Sequence, residues 1–313
     1  MNSNRPEVSI VIPVFNAKET LKILTARIKA AMDLQKRSFE LILVNDGSSD
    51  SSWDQIQELA REYAFVRGID LMRNYGQHNA LLCGIREAKS DIIVTMDDDL
   101  QHPPETIHIL LETLEQGYDV VYGAPITEKH GLFRDTASLL TKIALRNVMK
   151  VEGARHVSAY RAFRTYLRDS FAGFQGSTVS IDVLLSWGTA NFSHVKVDHR
   201  ERISGASHYT LRKLIQHAMN MMTGYSTLPL RISSGIGFVF TIFGFIVFLY
   251  AVIRYLIQGG VVPGFTFLAS LITIFSGAQL FALGIIGEYL ARMHFRLMDK
   301  PSYAVKSKVE YDQ

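Results

Sequence analysis

The sequence predicts an α/β protein, a mostly parallel sheet with helices on both faces, followed by a two-helix membrane hairpin. Three observations predict it. Short runs rich in Val and Ile alternate with helix-length stretches over residues 8–124. Polar clusters stand directly after the apolar runs. Two long uncharged stretches follow Arg231. The chain has 313 residues, 48% of them hydrophobic, which excludes a disordered polymer. Its one cysteine, Cys83, excludes an internal disulfide framework and a zinc site of several thiolates.

The strand signals are Val8–Val14, Phe39–Asn45, Val66–Leu71, Asp91–Met96 and Asp119–Gly123. Helical stretches lie between them, at about 18–33, 51–63, 77–88 and 104–116. Alternation of this kind implies a mostly parallel sheet covered on both faces. Ligand sites in such sheets lie beyond the carboxyl ends of the strands. The residues there are Asn45-Asp46-Gly47-Ser48-Ser49-Asp50, Arg73-Asn74-Tyr75-Gly76-Gln77 and Asp97-Asp98-Asp99-Leu100-Gln101. Three polar clusters at three strand ends converge on one cleft.

Between Arg231 and Arg254 lie 22 uncharged residues. As a helix they span roughly 33 Å, enough for a bilayer core. A second uncharged run follows, broken near its start by Gly259-Gly260 and Pro263-Gly264, and leaves Phe265 to Gly287 as another span. Arg200, Arg202, Arg212, Lys213 and Arg231 precede the hairpin, and Arg292, Arg296, Lys300, Lys306 and Lys308 follow it. The turn carries only Arg254, so the positive-inside rule places both termini in the cytoplasm. The N-terminus runs straight into a strand signal with no signal peptide. Ahead of the first span, Leu211, Leu214, Ile215, Ala218, Met222 and Tyr225 share one helical face, which predicts a helix lying along the membrane surface.

Asp97, Asp98 and Asp99 carry the sharpest chemical signal. Adjacent carboxylates repel unless a cation sits among them. A hard divalent ion does this with oxygen ligands shared with substrate phosphates. In an extended stretch Asp97, Asp99 and Gln101 share a parity, whereas Asp98 points away. Asp46, after the second strand, can accept from a base N–H or a ribose hydroxyl, or serve only the turn. No GxGxxG and no GxxxxGK[ST] occurs, which leaves a Rossmann fingerprint and a P-loop unsupported. Residues 1–128 hold 12 Lys+Arg against 20 Asp+Glu, and residues 129–213 hold 14 against 6. The basic half adjoins the membrane and its anionic head groups. Arg134, Arg161, Arg200 and Arg202 are its candidates for gripping an anionic ligand. A membrane anchor argues against nucleic acid as the partner.

The segments VSIVIPVFN, VNDGSSD, RNYGQHNALLCGI and MDDDLQHPPE resemble glycosyltransferase family 2 with the GT-A fold. RERISGASHY, the two spans and GEYLAR are similar to the polyprenyl-phosphate glycosyltransferases within it. The resemblance implies inverting transfer of a sugar from a nucleotide-diphospho-sugar, with UDP the commonest carrier, to a polyprenyl (undecaprenyl) phosphate. The product is a lipid-linked sugar for the cell envelope. It implies that Pro13 and Asp46 line the nucleoside site and that Asp97, Asp99 and Gln101 hold Mg²⁺ or Mn²⁺ against the diphosphate. Arg134, Arg202 and Ser207 then meet the phosphates, with Arg202 nearest the lipid phosphate. Asp99, Arg134 and Arg202 become the catalytic candidates. The expected organisation is a GT-A domain over 1–209, an amphipathic helix over 210–228, spans over 232–257 and 264–290, and a cytosolic tail over 291–313. It is placed in the bacterial inner membrane, with a homotetramer as the assembly the relatives suggest.

The chain departs from the family pattern in several places. Ala17 stands where Glu is usual, Asp98 where Ala is common in the acidic motif, and Pro125 where a basic residue often follows the fifth strand. Ser207-His208-Tyr209 replaces Ser-Lys-Tyr, and Ala159 replaces an Asp two residues before Arg161. Asp182 is a candidate base, although it lies in a helix-like run that favours a structural role. A processive polysaccharide synthase would carry Gln-x-x-Arg-Trp, which is absent at Trp187. The alternative of another class is a non-catalytic membrane adaptor that keeps the nucleotide-sugar-binding fold.

Overall fold

The computed structural model describes residues 5–125, 156–176, 179–198, 223–225, 227–258, 264–298 and 300–310. Two compact units result, Met1–Ile215 with Asp299–Gln313, and Gln216–Met298. The first is built on β1 (Val8–Val14), α1 (Lys18–Gln35), β2 (Phe39–Asn45), α2 (Ser52–Glu62), β3 (Val66–Leu71), α3 (Gln77–Glu87), β4 (Ile92–Thr95), α4 (Ile107–Glu115), β5 (Val120–Pro125), β6 (Arg161–Arg164), α5 (Ile181–Gly188), β7 (Phe192–Val197) and β8 (Val305–Val309). The strand order among the described residues is β7-β5-β6-β4-β1-β2-β3-β8. β1, β2, β3 and β4 run parallel, as β5 and β7 do to each other. β6 is antiparallel to β4 and β5, and β8 to β3, so the sheet is mixed at its two flanks.

Side-chain alternation along β1 divides the core. Val8, Ile10, Ile12 and Val14 face α1, α2 and α4, while Val11 joins Ile42, Val44 and Ile69 beneath α3 and α5. Both faces are fully covered, which is why the central strands read as continuous apolar runs. At Gly84 of α3 a Cβ would overlap Val11, so this glycine lets the helix lie close on the sheet. At the amino ends of the strands the buried Glu40 accepts from Ser9 and pairs with Arg67, which also reaches Glu310 just past β8.

β8 comes from the segment read in sequence as a tail after the hairpin. The structure divides 291–313: its start continues the last helix, and 305–309 is an edge strand of the sheet. VKSKV gives little sign of this because its outward residues are lysines, the usual protection of an edge. Those lysines are paired, Lys306 with Asp70 and Lys308 with Glu87.

Asp182 lies inside the first unit, 5% exposed, and accepts from Arg161 and from the Tyr122 hydroxyl (3.0 Å). Burial and the Asp182 charge push the Tyr122 phenol far above its ordinary pKa. Arg161 is 1% exposed and bound in this cluster, which corrects its expected place among the ligand-gripping cations. The same cluster gives Asp182 the structural role. The second unit holds α6 (Leu228–Gln258) and α7 (Phe265–Leu297), which pack on each other through Phe240 and Phe275, edge to face at 5.6 Å. Within them Leu228–Arg254 and Ile274–His294 are long and apolar enough to cross a membrane, and neither is buried within the chain. Of the expected amphipathic helix, all but 223–225, 227 and 228 falls outside the described residues.

Asp182→Ala leaves Arg161 charged and buried without its partner. Breaking such a pair costs about 3–5 kcal/mol. The expected result is a clear fall in the melting temperature of the detergent-solubilised chain; an unchanged value would contradict the cluster's role.

Candidate active site

The carboxyl ends of β1, β2 and β4 and the start of α3 enclose a cavity of about 240 Å³ lined by Pro13, Val14, Phe15, Asp46, Asn74, Gly76, Gln77, Asp97, Asp98 and Asp99. Parallel pairing of β1, β2 and β4 brings their carboxyl ends to one edge of the sheet. A second hollow of about 300 Å³ adjoins it and shares Phe15, Asp98 and Asp99.

Asp46 lines the cavity but is only 3% exposed, and both of its carboxylate oxygens are engaged within the chain. One oxygen accepts from the Tyr75 amide at 2.7 Å and the other from the Gly76 amide at 2.8 Å. Gly76 precedes α3 with φ +94°, so a carboxylate from the turn after β2 caps a helix that lacks a cap of its own. Gly47, at φ +66°, lies against the backbone of Arg73 and Asn74, where any Cβ would overlap. That close approach is what sets Asp46 opposite the two amides. Burial pushes the Asp46 carboxyl above its ordinary pKa, more than the two amides pull it down. Its ionisation therefore costs stability as pH rises from the ordinary value through the raised one. For Asp50 burial is outweighed by hydrogen bonds from Ser52 and the Lys18 amide, and the pKa falls. Its contribution is present above the ordinary value and lost as pH drops through the lowered one.

The acidic triplet lies past the end of β4, which stops at Thr95; Asp98 and Asp99 form a turn, and Leu100 just after it takes φ +60°. Asp98 lines the cavity along with the expected Asp97 and Asp99. Asp98, expected to point away, accepts from the Phe15 amide at 3.1 Å and ties this turn to the β1 end. Asp97 accepts from Gln77 Nε2 at 2.5 Å. Asp99 accepts from the Gln101 amide at 3.1 Å. Gln101 meets Asp99 through its backbone, and its side chain does not line the cavity. Pro13 does. Arg134, Arg202 and Ser207 lie outside the described residues.

These bonds close a ring. Asn16 donates from its backbone to Ser48 (3.0 Å) and accepts from the Ser49 amide (2.8 Å). The β1 end is thus tied to the β2 turn, that turn to the α3 start by Asp46, the α3 start to the acidic turn by Gln77, and the acidic turn back to β1 by Asp98. Asn74, Gly76, Gln77, Phe15 and Asp98 are cavity residues absent from the set assigned from sequence. The polar cluster after the third strand was the signal for the first three.

An oxygen-lined cavity at strand ends with three adjacent carboxylates suits a ligand carrying phosphates and a hard cation. Among the described residues no three His, Cys, Asp or Glu side chains form a ready metal cage. Two carboxylates suffice when phosphate oxygens complete the shell. The Glycosyl transferase family 2 model matches residues 9–173, the stretch that holds this cavity. The chain belongs to that family. Its relatives include the undecaprenyl-phosphate 4-deoxy-4-formamido-L-arabinose transferases of Yersinia enterocolitica, 35% identical over 98% of this chain and 95% of the relative, and of Photorhabdus laumondii, 36% identical over 97% and 94%. Among solved structures, glucosyl-3-phosphoglycerate synthase from Mycobacterium tuberculosis, in complex with Mn²⁺, UDP and phosphoglyceric acid, superposes with a TM-score of 0.53 at 18% identity, covering 70% of this chain and 76% of that one. That likeness establishes the GT-A fold of this family 2 chain.

Asp46→Asn replaces one acceptor oxygen by an NH₂ group that faces an N–H. A buried donor left unmet costs about 1–3 kcal/mol. The D46N chain should unfold at a lower urea concentration than wild type; an unmoved midpoint would show that the carboxylate does not hold the loop.

Proposed function

We propose that this family 2 glycosyltransferase moves a sugar from a nucleotide-diphospho-sugar to undecaprenyl phosphate, with inversion at the anomeric carbon. The observation that carries the reading is the full-length match. Relatives named as undecaprenyl-phosphate sugar transferases align over 94–95% of their own length, so the match spans both the cavity and the apolar helices. The adaptor alternative is not favoured, since those relatives are transferases.

The reaction is a single displacement. A phosphate oxygen of the lipid forms a bond to the anomeric carbon as the bond from that carbon to the donor's diphosphate breaks, and the nucleoside diphosphate leaves with the electron pair. The attacking phosphate is already anionic near neutral pH, so no strong base is needed. Asp182, enclosed with Arg161 and Tyr122, has no part in the step. Pro13 and the loop held by Asp46 form the nucleoside end of the cavity, and Asp97 and Asp99 the diphosphate end. Both carboxylates are fixed by the fold before a ligand arrives, which removes part of the ordering cost of the transition state. The Mn²⁺ and UDP of the solved fold neighbour support a divalent cation and a UDP-linked donor here. Mg²⁺ or Mn²⁺ bound by Asp97 and Asp99, with Gln101 nearby, would stabilise the departing diphosphate as a Lewis acid.

Arg134, Arg202 and Ser207 complete the proposal as contacts to the phosphates, Arg202 on the lipid side. Membrane association follows from the two exposed apolar helices and the named relatives. A bacterial inner-membrane location, with both termini and the GT-A domain cytoplasmic, rests on the excess of Lys and Arg outside the hairpin. Assembly as a homotetramer belongs to the same reading and is read by the mass of the solubilised protein. A screen of radiolabelled nucleotide sugars with undecaprenyl phosphate and Mn²⁺ or Mg²⁺, counting lipid-soluble label, tests the reading as a whole.

Two substitutions test its parts. Asp99→Ala should remove most transfer, about 10²-fold or more as expected for loss of an electrostatic stabiliser, while membrane insertion is retained; near-normal turnover refutes the assignment. Arg202→Ala should raise KM for the lipid more than KM for the nucleotide sugar. A raised donor KM with an unchanged lipid KM would contradict its placement.

A further inference from the structure

β8 pairs with β3 in a register that slips once. Gly68, Ile69 and Asp70 stand opposite Val309, Lys308 and Ser307, but Leu71 stands opposite Val305. Lys306 is the extra residue, a β-bulge. In an unbroken register it would face Leu71 and share the face that holds Ile69 and Leu71, away from the Asp70 side chain. The bulge instead brings its ammonium to 3.0 Å from Asp70 Oδ2. Bulges re-aim side chains in this way, commonly beside active sites.

Asp70 is 2% exposed, and Lys306 supplies the cation that faces it. The other Asp70 oxygen accepts from Asn45 Nδ2 at 2.7 Å. That bond orients the Asn45 amide, whose oxygen accepts from the Ser48 backbone N–H at 3.4 Å across the turn containing Asp46 and Gly47. Asp46 in turn holds Tyr75 and Gly76 at the cavity wall. Polar contacts run from the C-terminal strand to the Asn45–Ser48 turn, and the Asp46 that this turn contains carries them on to the cavity wall.

We propose that Lys306 is a positioning residue for the donor site, acting through Asp70 and Asn45 to set the Asn45–Ser48 turn. The strand that follows the second apolar helix is then a working part of the binding site. The donor role of the cavity rests on the proposed function; the Lys306–Asp70–Asn45 linkage does not. A buried carboxylate that loses its cation is held less firmly in place. The Asn45 amide bonded to it is then free to shift, and the turn loosens.

The test is hydrogen–deuterium exchange on the full-length chain in detergent, without ligand, combined with binding of Mn²⁺–UDP. Lys306→Ala should speed exchange several-fold in peptides covering 46–49 and 74–77 and leave β1 unchanged. Lys306→Arg should restore the wild-type pattern. Lys308→Ala removes the neighbouring ion pair to Glu87 on the same strand and should leave 46–49 and 74–77 protected. If Lys306→Ala exposes only β8, or if Lys308→Ala loosens the same loops equally, the positioning role is overturned and Lys306 merely helps hold an edge strand. With the exchange result in hand, Mn²⁺–UDP should bind Lys306→Ala about tenfold more weakly than wild type and Lys306→Arg. Wild-type chain that shows the exchange pattern but binds no Mn²⁺–UDP supports the linkage and counts against the donor reading alone.

Discussion

The Asp46 carboxylate and the two backbone amides it holds are the constraint on which the site depends. Tyr75 and Gly76 belong to a loop whose glycine sits at positive φ, immediately before a helix with no side-chain cap. Buried amides must find acceptors, and a carboxylate meeting two of them is a strong solution. The acceptor comes from the turn that follows the adjacent parallel strand. The β2 and β3 ends are thereby fixed to each other, and the wall of the cavity follows from that.

The rest of the ring applies the same economy. Asp98 takes the Phe15 amide, Asp97 the Gln77 amide group and Asp99 the Gln101 amide. Acidic side chains crowded into one turn repel each other, and N–H donors from three directions offset part of that repulsion before any cation arrives. The carboxylates thus hold the loops, and the loops hold the carboxylates in place. Such a site is pre-organised for a phosphate-bearing ligand and its counter-ion without being a metal cage in its own right. Replacing any of these acidic residues alters both shape and charge, so activity and stability must be measured together to separate the two.

The central strands were legible because Val8–Val14 and Phe39–Asn45 are buried on both faces and so appear as unbroken apolar runs. The polar clusters were legible because parallel topology forces the residues after each run to one edge. What stayed hidden depends on partners far away in the chain. Arg161 reads as a ligand cation until Asp182, 21 positions on, is seen to enclose it. Asp46 reads equally as a ligand contact or as a turn residue, because the backbone amides it accepts from leave no mark on sequence. The acidic triplet was read as extended, but β4 stops at Thr95 and the three carboxylates accept from three different partners. β8 is five residues with two lysines, too short and too polar for a period-2 signal.

That last strand changes what counts as the sheet domain. The unit built on the sheet is made of residues before the apolar helices and residues after them, so the hairpin is an insertion in sequence rather than a C-terminal appendage. β8 contributes its ladder to β3 and its cations to Asp70, Glu87 and, through Glu310, a partner for Arg67. A fragment ending at residue 209 would therefore lack more than its membrane anchor. It would expose the β3 edge and leave Asp70, 2% exposed, without the lysine that faces it. An exposed edge invites pairing with other chains, and a buried carboxylate without a cation weakens the strand end that carries it. Loss of function in such a fragment would follow from the missing strand even where the lipid-facing helices play no part in the chemistry.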